Sequence, residues 1–160
     1  MPDLVRGAAA GTETVVRNPG STRPWQHVLE PLAGYLLLGQ RLHGGETALA
    51  RAWNFGPAVE GVLTVEEVVR VVARTWPAVR HRVERPAHAP HEAGLLTLDC
   101  SLARSLLGWR PIWDGAPAFE HTARWYQRYI ERGEVCSAPQ LADYVREAQR
   151  LGAVWAEAGQ

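Results

Sequence analysis

In the stretch VVRNPGSTRPWQHVLE, residues 15–30, Arg17 and Arg23 flank an Asn-Pro-Gly turn, and Trp25 and His27 stand just before a helix start. A guanidinium is a rigid fork of donors that matches phosphate oxygens, so a turn between two of them could present both to one pyrophosphate. The same pair could be solvated surface residues, because the chain carries 17 basic side chains and all of them are arginine. Trp25 could stack on a base or ring, or be one of seven tryptophans that pack the interior. His27 titrates in the range useful for proton transfer. No nucleophile or carboxylate stands at a recognised spacing from it, which favours a structural role. Glu30, at the helix start, suits the positive end of a helix.

A second group lies in HRVERPAHAPHEAGLLTLDC, where His88, His91, Glu92, Asp99 and Cys100 are metal-binding types. Their spacing fits no metal template, since there is no paired Cys-x-x-Cys and Glu92 is not followed by x-x-His. Asn54, before Gly56-Pro57, could hydrogen-bond a ligand or its own turn. Ser101, His121 and Asp114 form no triad signature, and Gly-x-Ser-x-Gly, the phosphate loop and Gly-x-Gly-x-x-Gly are all missing. The chain has no lysine at all. Schiff-base chemistry, a phosphate-loop lysine and a lysine that activates a tyrosine are therefore excluded.

These residues must be positioned by short elements. Pro2 to Gly11 reads as a short helix, and ETVV as a strand ended by Asn-Pro-Gly. Pro24 biases Arg23 toward extended backbone. The spacing of Leu29, Leu32, Leu36 and Leu37 predicts a helix face running to about Leu42, closed by Gly44-Gly45. ARAWNFGP reads as a brief strand. Thr64 with Glu67 forms a capping-box pattern ahead of Val65, Val68, Val69 and Val72, a helical face that ends at Trp76-Pro77. VRHRVERP reads as a strand of alternating exposure, and LLTLD as a short strand or turn entry. Helices are expected after Ser101, over AFEHTARWYQRYIERG, and from a cap at Ser137. Five or six helices and three or four very short strands make an α/β pattern that is helix-rich. Strands this short do not build a self-contained sheet, so they are expected at the edge of a larger one.

With 160 residues, one domain is the expectation. Net charge is zero from 17 basic and 17 acidic residues, which gives no overall field for nucleic acid or a membrane surface. Two cysteines, Cys100 and Cys136, are not a disulfide framework. The N-terminal segment lacks the pattern of a secretion signal, and no apolar run approaches a membrane span. A soluble, cytoplasmic protein is expected.

The motifs VVRNPGSTRPWQHVLEPLAGYLLL, AWNFGP, AHAPHEAGLLTLD and LGWRP closely resemble the C-terminal half of the CDP-glucose 4,6-dehydratases, within the extended short-chain dehydrogenase/reductase group. The resemblance runs from about Pro2 to about residue 145. It implies a nucleotide-sugar-binding region over residues 1–145 and a helical tail over 146–160. In such enzymes an N-terminal Rossmann domain binds NAD and a smaller C-terminal region closes over the sugar nucleotide. Hydride leaves the sugar C4, water is lost across C5 and C6, and hydride returns to C6, giving a 4-keto-6-deoxy sugar. The resemblance implies that Arg23 contacts the diphosphate, that Asn54 helps to hold the nucleotide, and that His91 and Glu92 lie in the segment closing the substrate site. Arg17 and Trp25 match the pattern as well.

The departures are equally specific. The glycine-rich dinucleotide loop and the catalytic tyrosine with its lysine are absent, so no catalytic residue is assigned and no cofactor is expected on this chain alone. The expectation is a substrate-binding half, without a complete Rossmann domain, that binds CDP-glucose or a related nucleotide-sugar. It would be inactive alone, as a truncated product, a shortened gene model or one part of a split enzyme with a separate Rossmann polypeptide. Two alternatives are a stand-alone, non-catalytic nucleotide-sugar-binding module and a structural remnant with an exposed apolar surface.

Overall fold

A computed structural model describes residues 1–84 and 96–156. The first helix, α1 (Pro2–Ala10), starts on a proline that needs no intrahelical donor there and ends at Gly11, whose φ of 67° is left-handed. Strand β1 (Glu13–Val16) follows and pairs in parallel with β2 (Arg80–Val83), Glu13 opposite Arg80 and Val16 opposite Val83. All four residues of β2 are exposed, where the sequence predicted alternation. Alternation arises when one strand face lies on the core, and of this pair only β1 reaches it, through Val16.

Between the strands lie α2 (Leu29–His43), single 3-10 turns at Thr47–Leu49 and Val59–Gly61, and α3 (Val65–Thr75). After β2 come α4 (Ser101–Leu106), α5 (Ala116–Arg132) and α6 (Ser137–Arg150). Among the described residues this is a mostly helical α/β fold with a small, open, two-stranded sheet and no complete Rossmann domain. No described helix is long and apolar enough to cross a membrane.

The main core joins α1, β1, α3 and α5 through Leu4, Val16, Val68, Val72, Trp76 and Phe119. Valine is a moderate helix former, so the start of α3 depends on its cap. Thr64 Oγ1 accepts from the Glu67 amide at 3.2 Å and Glu67 Oε2 accepts from the Thr64 amide at 2.8 Å. Thr64→Ala is expected to cost about 1 kcal/mol, read as a lower urea midpoint with an unchanged slope.

A second core sets Leu37 of α2 against Leu49, Phe55, Leu107 and Trp109. Phe55 lies so close to Gly34 that any side chain there would collide with its ring. The segment around Asn54 is not the strand its composition predicted. Side chains replace a ladder: Gln26 Nε2 donates to the Phe55 carbonyl at 2.9 Å and Trp53 Nε1 to the Leu49 carbonyl at 2.9 Å. Residues 96–99 likewise form no strand.

Three further expectations change. Ser101 does not cap α4; Asp99 does that work, its Oδ1 accepting from the Ser101 amide at 2.9 Å and from the Ser101 hydroxyl at 2.5 Å. Ser137 does not cap α6, and its Oγ instead accepts from Trp125 Nε1 at 3.1 Å. The Leu32 and Leu36 side chains of α2 point away from the core, which is met by Glu30, Ala33, Gly34 and Leu37.

Candidate functional site

A cleft of about 840 Å³ opens between α1, β1, α3 and the turn that follows β1, and Arg17, Arg23 and Trp25 all line it. Buried Val16, Val68 and Val69 give it an apolar base. Its volume lies within the ~300–1,000 Å³ usual for small-molecule sites. Of its acidic residues, Asp3 is paired with Arg6 at 2.9 Å and Glu13 approaches Arg82 at 4.0 Å.

The arginine turn is held from below by α3. The first amides of a helix lack intrahelical partners. Here the Val65 amide donates to the Ser21 carbonyl and the Glu66 amide to the Pro19 carbonyl, each at 2.9 Å. Thr22 and Thr64 form an isolated antiparallel bridge beside them. The capping box that starts α3 therefore also fixes the backbone between Arg17 and Arg23. Arg17 is exposed, whereas Arg23 is half-buried and its Nη1 donates to the Thr22 carbonyl at 2.7 Å.

Trp25 forms the wall between this cleft and a second, more enclosed one of about 500 Å³ lined by Phe119, Trp125 and Tyr126. Its ring meets Phe119 edge-on, with centroids 6.4 Å apart. The indole N–H is buried and has no hydrogen-bond partner among the described residues. Trp25 is thus both a packing residue and part of the cleft wall.

His27 is a buried structural residue. Its ring is edge-on to Trp113 at 5.0 Å, and its Nδ1 accepts from the Leu29 amide at 3.3 Å. Burial first, and the neighbouring His121 second, lower its pKa to about 4, against a hydrogen bond with Gln140 that raises it. The unfolded chain then takes up a proton near pH 6.5 that the folded chain refuses until about pH 4. Stability from this group is present above pH 6.5 and lost as pH falls toward 4. Relative to His27→Phe, the wild type is expected to lose roughly 3 kcal/mol across that window, measured by urea unfolding at pH 7 and pH 4.5. A difference that stays constant with pH would show that His27 does not titrate this way.

Glu30 is the feature that sequence alone does not disclose. It is completely buried, and its Oε1 accepts from the Trp113 amide at 2.7 Å. Oε2 accepts from the Ile112 amide at 3.0 Å and from the Tyr144 hydroxyl at 2.9 Å. Burial raises its pKa, with the two backbone amides and the Tyr144 hydroxyl acting in the opposite sense. Burial, and then the Glu30 charge, push the Tyr144 phenol upward. The carboxylate ties the start of α2, directly after Trp25 and His27, to the 112–113 loop and to α6.

Asn54 does not line the arginine cleft. Its Nδ2 donates to the Asp99 carbonyl at 3.1 Å, fastening its segment to the approach to α4. His88, His91 and Glu92 lie outside the described residues. Of the other metal-binding types, Asp99 is engaged by Ser101 and Cys100 is buried. The remaining candidates for hydrolytic chemistry are also occupied. Asp114 Oδ2 accepts from the Ala58 amide at 3.1 Å, and His121 stacks on Trp113 with centroids 3.6 Å apart.

A dinucleotide cofactor is held where a strand passes through a glycine-rich turn into a helix whose N-terminus meets the pyrophosphate. Here β1 is followed by the Arg17-Asn18-Pro19-Gly20 turn and a non-helical run, and α2 does not start until Leu29, so no helix N-terminus stands directly after the turn. The described residues do not fit NAD, and no group of three or more His, Cys, Asp or Glu among them could hold a metal ion.

No family model matches the chain. It is 38% identical over 153 residues to CDP-glucose 4,6-dehydratase of Salmonella typhimurium, an alignment covering 94% of this chain. The two are homologous over most of this chain, which spans 42% of the length of that relative.

Proposed function

We propose that the chain is the substrate-holding, C-terminal part of a CDP-glucose 4,6-dehydratase, and that it binds CDP-glucose without converting it to CDP-4-keto-6-deoxyglucose on its own. The observation that carries this reading is the convergence of Arg17, Arg23 and Trp25 on one cleft, in a chain homologous to a CDP-glucose 4,6-dehydratase. The two guanidiniums neutralise and orient the diphosphate, the apolar base excludes water beneath it, and Trp25 offers a flat wall. Asn54 contributes on the nucleotide side, and His91 and Glu92 belong to the segment that closes over the sugar.

The chemistry is supplied from outside this chain. Removing hydride from the sugar C4 and returning it at C6 requires a nicotinamide, for which the described residues have no cradle. A tyrosine activated by lysine is excluded because the chain has no lysine. What these residues do is bind and orient. The cytoplasm, where sugar nucleotides are made and used, is the compartment that suits the reading.

Incubating the purified chain with CDP-glucose and NAD, and following formation of the 4-keto sugar, tests the division of labour. No product above the protein-free rate is expected. Sustained turnover by the chain would overturn it.

A further inference from the structure

The arginines that meet in the first cleft are carried by a turn, and α3 is the element on which that turn rests. The far end of α3 is fixed by packing: Val72 and Trp76 are 0% and 1% exposed, and Trp76 Nε1 donates to Glu131 Oε1 of α5 at 2.7 Å. The near end is different. Thr64 and Val65 are only half-buried and Glu66 and Glu67 are exposed, so the first turn of the helix is secured by the reciprocal hydrogen bonds of Thr64 and Glu67. That same first turn supplies the Val65 and Glu66 amides that hold the Ser21 and Pro19 carbonyls. Pro19 and Ser21 are buried, and the Ser21 amide passes the constraint on by donating to the Asn18 carbonyl at 3.3 Å. Arg17, Asn18, Ser21 and Arg23 line the cleft, whereas Thr64 and Glu67 are not among the described residues that line it.

Resting on the proposed function, we infer that Thr64 and Glu67 are positioning residues for the diphosphate: through the Val65 and Glu66 amides, the capping box sets the separation of Arg17 and Arg23 and thereby the affinity of the cleft. A guanidinium fork gains most from phosphate oxygens when it is already in place, because each long side chain that is ordered only on binding offsets part of the gain. With the cap formed, the turn is held before ligand arrives. Without it, the first turn of α3 frays and the Ser21 and Pro19 carbonyls lose their donors. Only the fraction of molecules with both arginines aligned then binds, and the apparent affinity falls by that fraction. The body of α3 stays packed through Val68, Val69 and Val72.

Three variants test the inference. Thr64→Val keeps the shape of the side chain and removes its hydroxyl, and Thr64→Ser keeps the hydroxyl. Ala148→Gly, at a buried position of α6 that lines neither cleft, lowers stability by a comparable amount through helix propensity and is the reference. Hydrogen exchange without ligand reads the turn itself. In Thr64→Val the Ser21, Val65 and Glu66 amides are expected to exchange about fivefold faster or more, and in Ala148→Gly to keep their rates. In titrations with CDP-glucose, Thr64→Val is expected to bind about three- to tenfold more weakly, Thr64→Ser to recover the affinity, and Ala148→Gly to match the wild type. Both guanidiniums still pair with the bound diphosphate, so the loss is expected to be the same at low and high ionic strength. Unchanged exchange at Ser21, equal affinity in wild type and Thr64→Val, or a loss shared by Thr64→Ser or Ala148→Gly overturns the positioning role and leaves the proposed function standing. Binding of inorganic pyrophosphate but not CDP-glucose, with the same dependence on Thr64, sinks the proposed function and leaves the positioning role standing. Binding of neither overturns both.

Discussion

Replacing Glu30 with alanine is expected to destabilise the chain by at least about 3 kcal/mol, because two amides and a phenol would be left as buried donors, each costing about 1–3 kcal/mol. Among the described residues the Trp113 and Ile112 amides find no acceptor but Glu30, and the Tyr144 hydroxyl sits on a side chain only 2% exposed. For a domain of this size the loss corresponds to a fall in Tm of roughly 10 °C, followed by circular dichroism. Glu30→Gln keeps one carbonyl oxygen but turns an amide donor toward a donor, so it is expected to recover only part of the loss. A change below about 1 kcal/mol for Glu30→Ala would mean that the carboxylate is not holding α2 to the 112–113 loop and α6. The consequence reaches the site, because α2 begins just after the Trp25 wall.

Arg23→Ala is expected to weaken CDP-glucose binding by about 10- to 100-fold, the worth of one charge-assisted pair to a phosphate. Arg17 is more exposed than Arg23 and its charge is better screened. Arg17→Ala is therefore expected to cost less, and its effect to shrink further in salt. Arg23→Lys keeps the charge but loses the planar fork and is expected to recover only part of the affinity. Titrating each variant with CDP-glucose at low and high ionic strength separates these outcomes. Equal affinity in wild type and Arg23→Ala would move the diphosphate away from this cleft.

What could be read in advance was local. Thr64 and Glu67 lie three residues apart, so the capping box and the start of α3 were visible as a pattern, and the structure has both hydrogen bonds. Arg17, Arg23 and Trp25 lie within one short stretch, and a single turn is enough to bring them to one cleft. What depended on tertiary partners was hidden. Leucine spacing located α2 but not which side faces inward, because both sides are apolar and only the fold chooses Ala33 and Leu37 over Leu32 and Leu36. Glu30 resembled a helix-end charge, since its partners Ile112 and Tyr144 are 82 and 114 residues away. The residues around Asn54 suit a strand by composition, but its hydrogen bond to Asp99 spans 45 residues and no ladder forms. His91 and Glu92 lie outside the described residues.

The most direct measurement is a calorimetric titration of the purified chain with CDP-glucose at low ionic strength, with Arg23→Ala run in parallel. Saturable heat from one site per chain, weakened by the substitution, is the expected result. No saturable binding by the wild type would contradict the claim that this chain holds the nucleotide-sugar.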